Sequence, residues 1–202
     1  MEFGKAHELG IYLQPGGIDS VVALWPDDAH LSFRLPAYAV ELDFQPLDFI
    51  QVNAGMNRRM IDRALSLLDP QPADRVLDLF CGLGNFTLPL ARRATQVVGL
   101  EGEAGLVRRA GDNARRNGID NVDFFSADLA ADQRPAPWAK AAYDRPLMEP
   151  HRRGNAGGTR VRRRGSGAGG GECGLTGGST EAQRGRRGRG DRGFGHEGDR
   201  IG

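Results

Sequence analysis

Two glycines and two acidic residues have the types and spacing of a small-ligand site. Gly82 and Gly84 lie in the stretch CGLGN at residues 81–85, and glycines let a backbone turn sharply and approach a ligand without a Cβ in the way. Glu101 follows Gly82 by 19 residues, the separation at which a carboxylate holds a ribose diol. Asp128 is a further acceptor, suited to an adenine amino group. These residues predict a site for an adenosine-containing ligand.

The same residues also fit plainer roles. The dinucleotide pattern G-x-G-x-x-G has Thr87 at its third position here, which does not favour a pyrophosphate cradle. The glycines would suit an ordinary tight turn, Glu101 a charge at the start of the next helix, and Asp128 a helix N-cap. From the residues alone, both interpretations stay open.

Alternating strands and helices must position these side chains. The pattern predicts strands over 76–80, 96–100 and 121–125, and helices over 86–93 and 103–117. Such units form a parallel sheet with helices on both faces, and ligands bind beyond the carboxyl ends of its strands. The glycine loop, Glu101 and Asp128 each follow one of these strands. The predicted fold class is therefore α/β, a partial doubly wound sheet.

The residues before this sheet have a different pattern. Short apolar runs separated by turn signals predict strands over 11–13, 21–24, 31–35 and 39–44, the remnant of a small antiparallel β-domain. A period-3.6 apolar pattern then predicts a helix over 53–69, capped by Asn53 and ended by Pro70.

The charge and glycine content change after Pro150. Residues 1–150 carry a net charge of −6, and the last 52 residues carry +7, with 12 arginines, no lysine and 18 of the 30 glycines. The tail has too few large apolar side chains to offset its chain entropy, so we expect it to be disordered.

Several classes are disfavoured by composition. There is no run of about 18 apolar residues and no signal peptide, so we expect no membrane partner and a cytoplasmic location. Cys81 and Cys173 are the two cysteines, too few for a disulfide framework or a four-thiolate cluster.

Several segments closely resemble one known family. The stretches YLQPGG at 12–17, PLDF at 46–49, DFIQVN at 48–53 and VLDLFCGLGNFT at 76–87 resemble the RNA (uracil-5-)-methyltransferases, especially their iron–sulfur 23S ribosomal RNA branch. The resemblance covers about residues 1–150. It suggests three parts: a β-domain remnant over 1–48, a partial methyltransferase domain over 49–150, and a Gly/Arg tail over 151–202.

The resemblance implies a Rossmann-like domain that transfers a methyl group from S-adenosylmethionine to uracil C5 in ribosomal RNA. Ribosomal RNA would be the partner of a monomeric protein. With the two loop glycines, the implied cofactor contacts are Gln51, Phe80, Gly82, Gly84, Asn85, Glu101, Asp128 and Glu149. For Gln51, a polar surface position at a helix start fits equally well.

The chain departs from the family pattern at its catalytic parts. In the family a cysteine thiolate in a Ser-Cys-Asn/Asp-Pro segment adds to uracil C6, and a base later removes the C5 proton. That segment, the N-terminal RNA-binding barrel and the cluster cysteines are absent from these residues. Cys81 fits a small buried residue better than a nucleophile. We therefore expect no catalytic residue, no iron–sulfur cluster and no turnover.

The tail permits competing explanations. The family's fourth strand leads into Asp-Pro-Pro-Arg, whereas this chain has Pro146 inside that strand and Glu149 at its end. One hypothesis is that the reading frame shifts near residues 145–151. The alternatives are an arginine–glycine tail that contacts RNA phosphates without catalysis, a solvated tail with no function, and an unstable fragment.

Overall fold

The computed structural model describes residues 2–17 and 20–148, together with the backbone of 159–163 and 172–175. The helices are α1 Glu2–His7, α2 Ala54–Leu68, α3 Thr87–Ala91, α4 Ala104–Arg116 and α5 Pro137–Lys140. The strands are β1 Ile11–Leu13, β2 Val22–Trp25, β3 Leu31–Leu35, β4 Val40–Phe44, β5 Arg75–Leu79, β6 Gln96–Glu101, β7 Val122–Ser126, β8 Ala142–Tyr143, β9 Arg145–Met148, β10 Thr159–Arg163 and β11 Glu172–Leu175.

A four-stranded parallel sheet lies at the centre, in the order β7-β6-β5-β9. The middle strands β5 and β6 are mostly apolar and are buried on both faces, as strands between two helical layers should be. Because all four strands run in the same direction, their carboxyl ends meet at one edge. The predicted α/β fold class is confirmed.

Strand β9 lies at the end of this sheet within the described residues. It pairs with β5 from Arg145 to Met148, and Pro146 stands opposite Leu77. The sequence pattern placed Pro146 in a central strand, where its missing N–H would break the ladder. At an edge a proline leaves fewer hydrogen bonds unmade, which is how the strand accommodates it here.

The predicted small strands form two antiparallel pairs, β1 with β2 and β3 with β4. Leu35 and Leu42 of the second pair belong to the same buried cluster as Leu88 and Val97 of the sheet domain. The β3–β4 pair and the sheet therefore share a core. The division at residue 48 stays a prediction.

Helix α2 matches the predicted segment closely. Asn53 caps the helix, since its Oδ1 accepts the Met56 N–H at 2.9 Å. Ile61 and Leu65 lie on the buried face of the helix. The opposite face is open. An apolar groove of about 550 Å³ runs between α2 and β9, with Met56 and Leu67 among its lining residues.

The tail was predicted to be disordered; two of its segments are described as strands, and for the rest of the tail the expectation stays a prediction. Strand β10 pairs in parallel with β8, and β11 pairs antiparallel with β10. Pairing with β8 and β11 supplies the hydrogen bonds of this extended backbone. The other residues beyond Met148 lie outside the described part of the chain.

Candidate functional site

The glycine loop follows β5 through a sharply turned backbone. Phe80 has a φ of 65°, and Gly82 and Gly84 have φ values of 55° and 96°. This left-handed region is free for glycine but strained for an aromatic residue. The Cys81 N–H donates to the Leu100 carbonyl at 2.9 Å, which ties the loop to β6. The strain at Phe80 is thus held in place by the sheet.

Glu101 connects the tip of β6 to the glycine loop. Its Oε2 accepts the Gly82 N–H at 3.1 Å, while its Oε1 accepts the N–H groups of Gly102 at 2.7 Å and Glu103 at 3.2 Å. The second pair of contacts matches the helix-start role that the sequence left open. A carboxylate has about four acceptor positions, so one remains on Oε2 beside the loop. A diol would bind there by sharing or displacing the Gly82 contact.

Asn85, at the end of the loop, is paired with a residue that the sequence analysis did not identify. The Asn57 Nδ2 donates to the Asn85 Oδ1 at 2.9 Å, and the Asn85 Nδ2 donates to the Asn57 Oδ1 at 2.8 Å. Asn57 is 3% exposed. It precedes Ile61 and Leu65 by four and eight residues on the buried face of α2. The sequence signal that could have identified Asn57 is an amide at a core position of an otherwise apolar helix face.

Thr87 has a structural partner. Its hydroxyl donates to the Asp78 carboxylate at 2.6 Å, and both residues are buried. Thr87 therefore joins the start of α3 to β5 at the position where a dinucleotide loop has its third glycine. Two carboxylates, Asp78 and Glu101, lie near the loop, and their charge disfavours a pyrophosphate anion.

Cys81 is buried beneath the loop and is 5% exposed. Burial raises the pKa of its thiol, and the nearby carboxylates of Asp78 and Glu101 raise that pKa further. A thiol with a raised pKa stays protonated at neutral pH and is a poor nucleophile. The side chain fills space next to Gly99, where an added Cβ would come within 3.1 Å of its sulfur.

The other predicted contacts lie at the margins of this loop. Gln51 is exposed just before α2, and its Oε1 accepts the Asn53 N–H at 3.4 Å. Asp128 is exposed after β7, and its Oδ1 accepts the Ala130 N–H at 2.9 Å. The Gln51 contact fits the plainer role of a polar residue before a helix, whereas Asp128 caps a turn and not the helix that was predicted, because the next helix begins only at Pro137. Glu149 lies outside the described residues.

A buried ion pair fixes the segment that leads to Gln51. Arg109 on α4 pairs with Asp48, whose side chain is 5% exposed, and the other Asp48 oxygen accepts the Gln45 N–H at 2.7 Å. This pair was not predictable from the sequence, because residues 61 positions apart carry no local pattern.

Within the described residues, no helix is long and apolar enough to cross a membrane. The same part of the chain brings no three His, Cys, Asp or Glu side chains together as metal ligands.

A solved methyltransferase has the same fold. The tRNA (uracil-54, C5)-methyltransferase of Pyrococcus abyssi, solved in complex with S-adenosyl-L-homocysteine, superimposes with a TM-score of 0.52 at 20% identity, over 67% of this chain and 33% of that one. At this identity the likeness defines the fold, that of a methyltransferase.

Sequence comparison then defines the family. The family model described as tRNA (uracil-5-)-methyltransferase matches residues 34–134, and the chain belongs to this family. The 23S rRNA (uracil(1939)-C(5))-methyltransferases RlmD of Xanthomonas campestris pv. campestris strain 8004 and Xylella fastidiosa strain 9a5c are 61% and 58% identical to it over 154 residues. The match covers 76% of this chain. The chain spans about a third of the length of these relatives, 35% in both cases.

Proposed function

We propose that the glycine loop and the ends of β5, β6 and β7 bind S-adenosylmethionine. The contact between Glu101 and the Gly82 N–H carries the proposal, because it places an acceptor for ribose hydroxyls beside a loop that a ligand can approach. Phe80 packs against the adenosine or methionine portion, and Asn85 and Asp128 bind polar groups. Gln51 and Glu149 complete the proposed contacts.

The proposed reaction is methyl transfer to uracil C5 of ribosomal RNA, the activity in the names of the curated relatives. The cofactor supplies an electrophilic methyl group on a sulfonium sulfur. The residues of this chain bind and orient it, and the protein acts as a monomer in the cytoplasm with ribosomal RNA as its partner. We propose that the chain holds no iron–sulfur cluster, because its two cysteines are fewer than the four thiolates such a cluster needs.

The nucleophilic step is the one these residues do not supply. The protonated, buried Cys81 thiol is unsuited to attack uracil C6, and no Ser-Cys-Asn/Asp-Pro segment occurs among the 202 residues. A polypeptide of this sequence therefore binds cofactor without turnover. Repeated methyl transfer to unmodified ribosomal RNA in a radiolabel assay would contradict this part of the proposal.

Calorimetric titration of the 202-residue chain with S-adenosylhomocysteine tests cofactor binding. Glu101→Gln should weaken binding about tenfold or more, because a neutral amide with N–H donors replaces a carboxylate that accepts from the diol. Glu103→Gln is the matched control, since Glu103 is an exposed carboxylate two residues away, 64% accessible. No binding by the unmodified chain, or equal losses in both variants, would contradict the proposal.

A further inference from the structure

Asn57 and Asn85 form two hydrogen bonds that join helix α2 to the glycine loop. Each amide donates one N–H to the other and accepts one in return. If either amide were rotated by half a turn, N–H would face N–H and oxygen would face oxygen. The two bonds therefore tie the orientations of the two amides together, since neither side chain can flip alone.

Asn57 has no need to be an amide on packing grounds alone. It shares the buried face of α2 with Ile61 and Leu65, where an apolar side chain would pack without the cost of burying polar atoms. The amide is stable at this position because Asn85 satisfies it, and removing either partner leaves the other unpaired. The energetics of the two residues are thus coupled.

Asn85 is half-buried and still has capacity to bind a ligand. An asparagine side chain has two N–H groups and two oxygen lone pairs, and the pair uses one of each. The remaining N–H and lone pair are held in fixed directions at the end of the loop. Because Asn57 lies one turn after the N-cap Asn53, it also connects the loop to the start of α2, beside Gln51.

We propose that Asn57 is a positioning residue, which holds the Asn85 side chain and the end of the glycine loop in the orientation that binds the cofactor. The inference rests on the proposed function, because it concerns how the same site is built. Asn57 is buried under the loop and acts through Asn85.

A double-mutant cycle on the full chain tests this inference, with S-adenosylhomocysteine as the probe in calorimetry. Asn57→Ala should weaken binding about tenfold or more, equivalent to about 1.4 kcal/mol. In the Asn85→Ala background the same substitution should have little further effect, since the group that Asn57 positions is already gone. An unchanged affinity for Asn57→Ala, or an equal loss in both backgrounds, would overturn the inference.

Asn121→Ala is the structural control. Its Nδ2 donates to the Ala91 and Ala94 carbonyls at 2.9 and 3.0 Å, away from the loop contacts. This variant should lower the melting temperature but change the affinity by less than about twofold. A loss of affinity as large as that of Asn57→Ala would show that general destabilisation explains both, and would overturn the inference.

Asn57→Asp supplies a rescue that does not depend on a truncated side chain. A protonated carboxyl has one O–H donor and one carbonyl acceptor, as the amide does, whereas a carboxylate cannot donate. Affinity relative to the unmodified chain should therefore recover as the pH falls. A ratio that stays low and does not change with pH would overturn the inference. If the unmodified chain does not bind the probe, the proposed function itself fails, and this inference with it.

Discussion

At the scale of single residues, the site combines strain and burial in one short loop. Phe80 adopts a backbone conformation that costs an aromatic residue about 1–2 kcal/mol, and such strain is concentrated at functional positions. Cys81, the next residue, is buried near the carboxylates of Asp78 and Glu101. The sheet thus holds the strained Phe80 backbone in place at the start of the loop.

Cys81 gives the protein a defined dependence on pH. Its thiol pKa is raised in the folded chain, whereas in the unfolded chain it ionises near about 8.5. The unfolded state therefore loses its proton first, so the contribution to stability is complete below that pH and declines above it.

Urea unfolding between pH 7 and about 9, where the tyrosines of the unfolded chain are still mostly protonated, should show this decline. At the upper end of this range the free energy of unfolding should fall by about 1 kcal/mol per pH unit. Cys81→Ala is the control and should have a clearly shallower slope. Equal slopes for the two chains would contradict the assignment of a protonated, buried thiol.

At the scale of elements, helix α4 joins the small strands to the glycine loop. The Asn113 Oδ1 accepts the Asp43 N–H at 2.8 Å, and its Nδ2 donates to the Asp43 and Leu83 carbonyls, both at 3.2 Å. One buried amide on α4 therefore satisfies backbone groups of β4 and of the loop. Asn117, one turn later, makes the same kind of contact with the Glu41 N–H and carbonyl.

Removing the Asn113 amide should destabilise the fold. Asn113→Ala should lower the free energy of unfolding by about 1–3 kcal/mol, because a buried N–H and two carbonyls lose their partner. Asp112→Ala on the same helix is the control. Asp112 forms an exposed pair with Arg115, so its loss should cost less than about 1 kcal/mol. Similar losses in both variants would contradict the role given to Asn113.

Elements defined by local chemistry were predictable from the sequence. The alternation of Leu31–Leu35 gives the strand β3 with its predicted bounds, and Asn53 caps α2 as expected. Gly118, which follows the end of α4, has a φ of 60°, a conformation that glycine adopts without strain after a helix. In each case the deciding residues lie within a few positions of each other.

Contacts between distant residues were not predictable in this way. Nothing in the local sequence around Phe80 indicates a left-handed backbone. That conformation is held by the hydrogen bond from the Cys81 N–H to the Leu100 carbonyl of β6. The partners Asn57 and Asn85 are 28 residues apart, and their pairing depends on the packing of α2. The spacing of residues along the sequence predicted which of them flank the site, whereas tertiary packing determines the orientation of their side chains.

At the scale of the whole molecule, two surfaces compete as candidate binding sites. One is the glycine loop at the carboxyl ends of the strands. The other is the open apolar groove between α2 and β9, of about 550 Å³. The groove is lined mostly by apolar side chains, including the exposed Met56 and Leu67, and offers few acceptors for a ribose. The loop has both the acceptors and the backbone turns that an adenosine-containing ligand requires.

Site-resolved NMR of the ¹⁵N-labelled chain during titration with S-adenosylhomocysteine decides between these surfaces most directly. The account predicts that the largest amide shifts occur at Gly82, Gly84 and Glu101, with smaller shifts at Asn85 and its partner. Shifts confined to the groove residues of α2 and β9, or no shifts at all at saturating ligand, would contradict the central claim that this loop is a cofactor site.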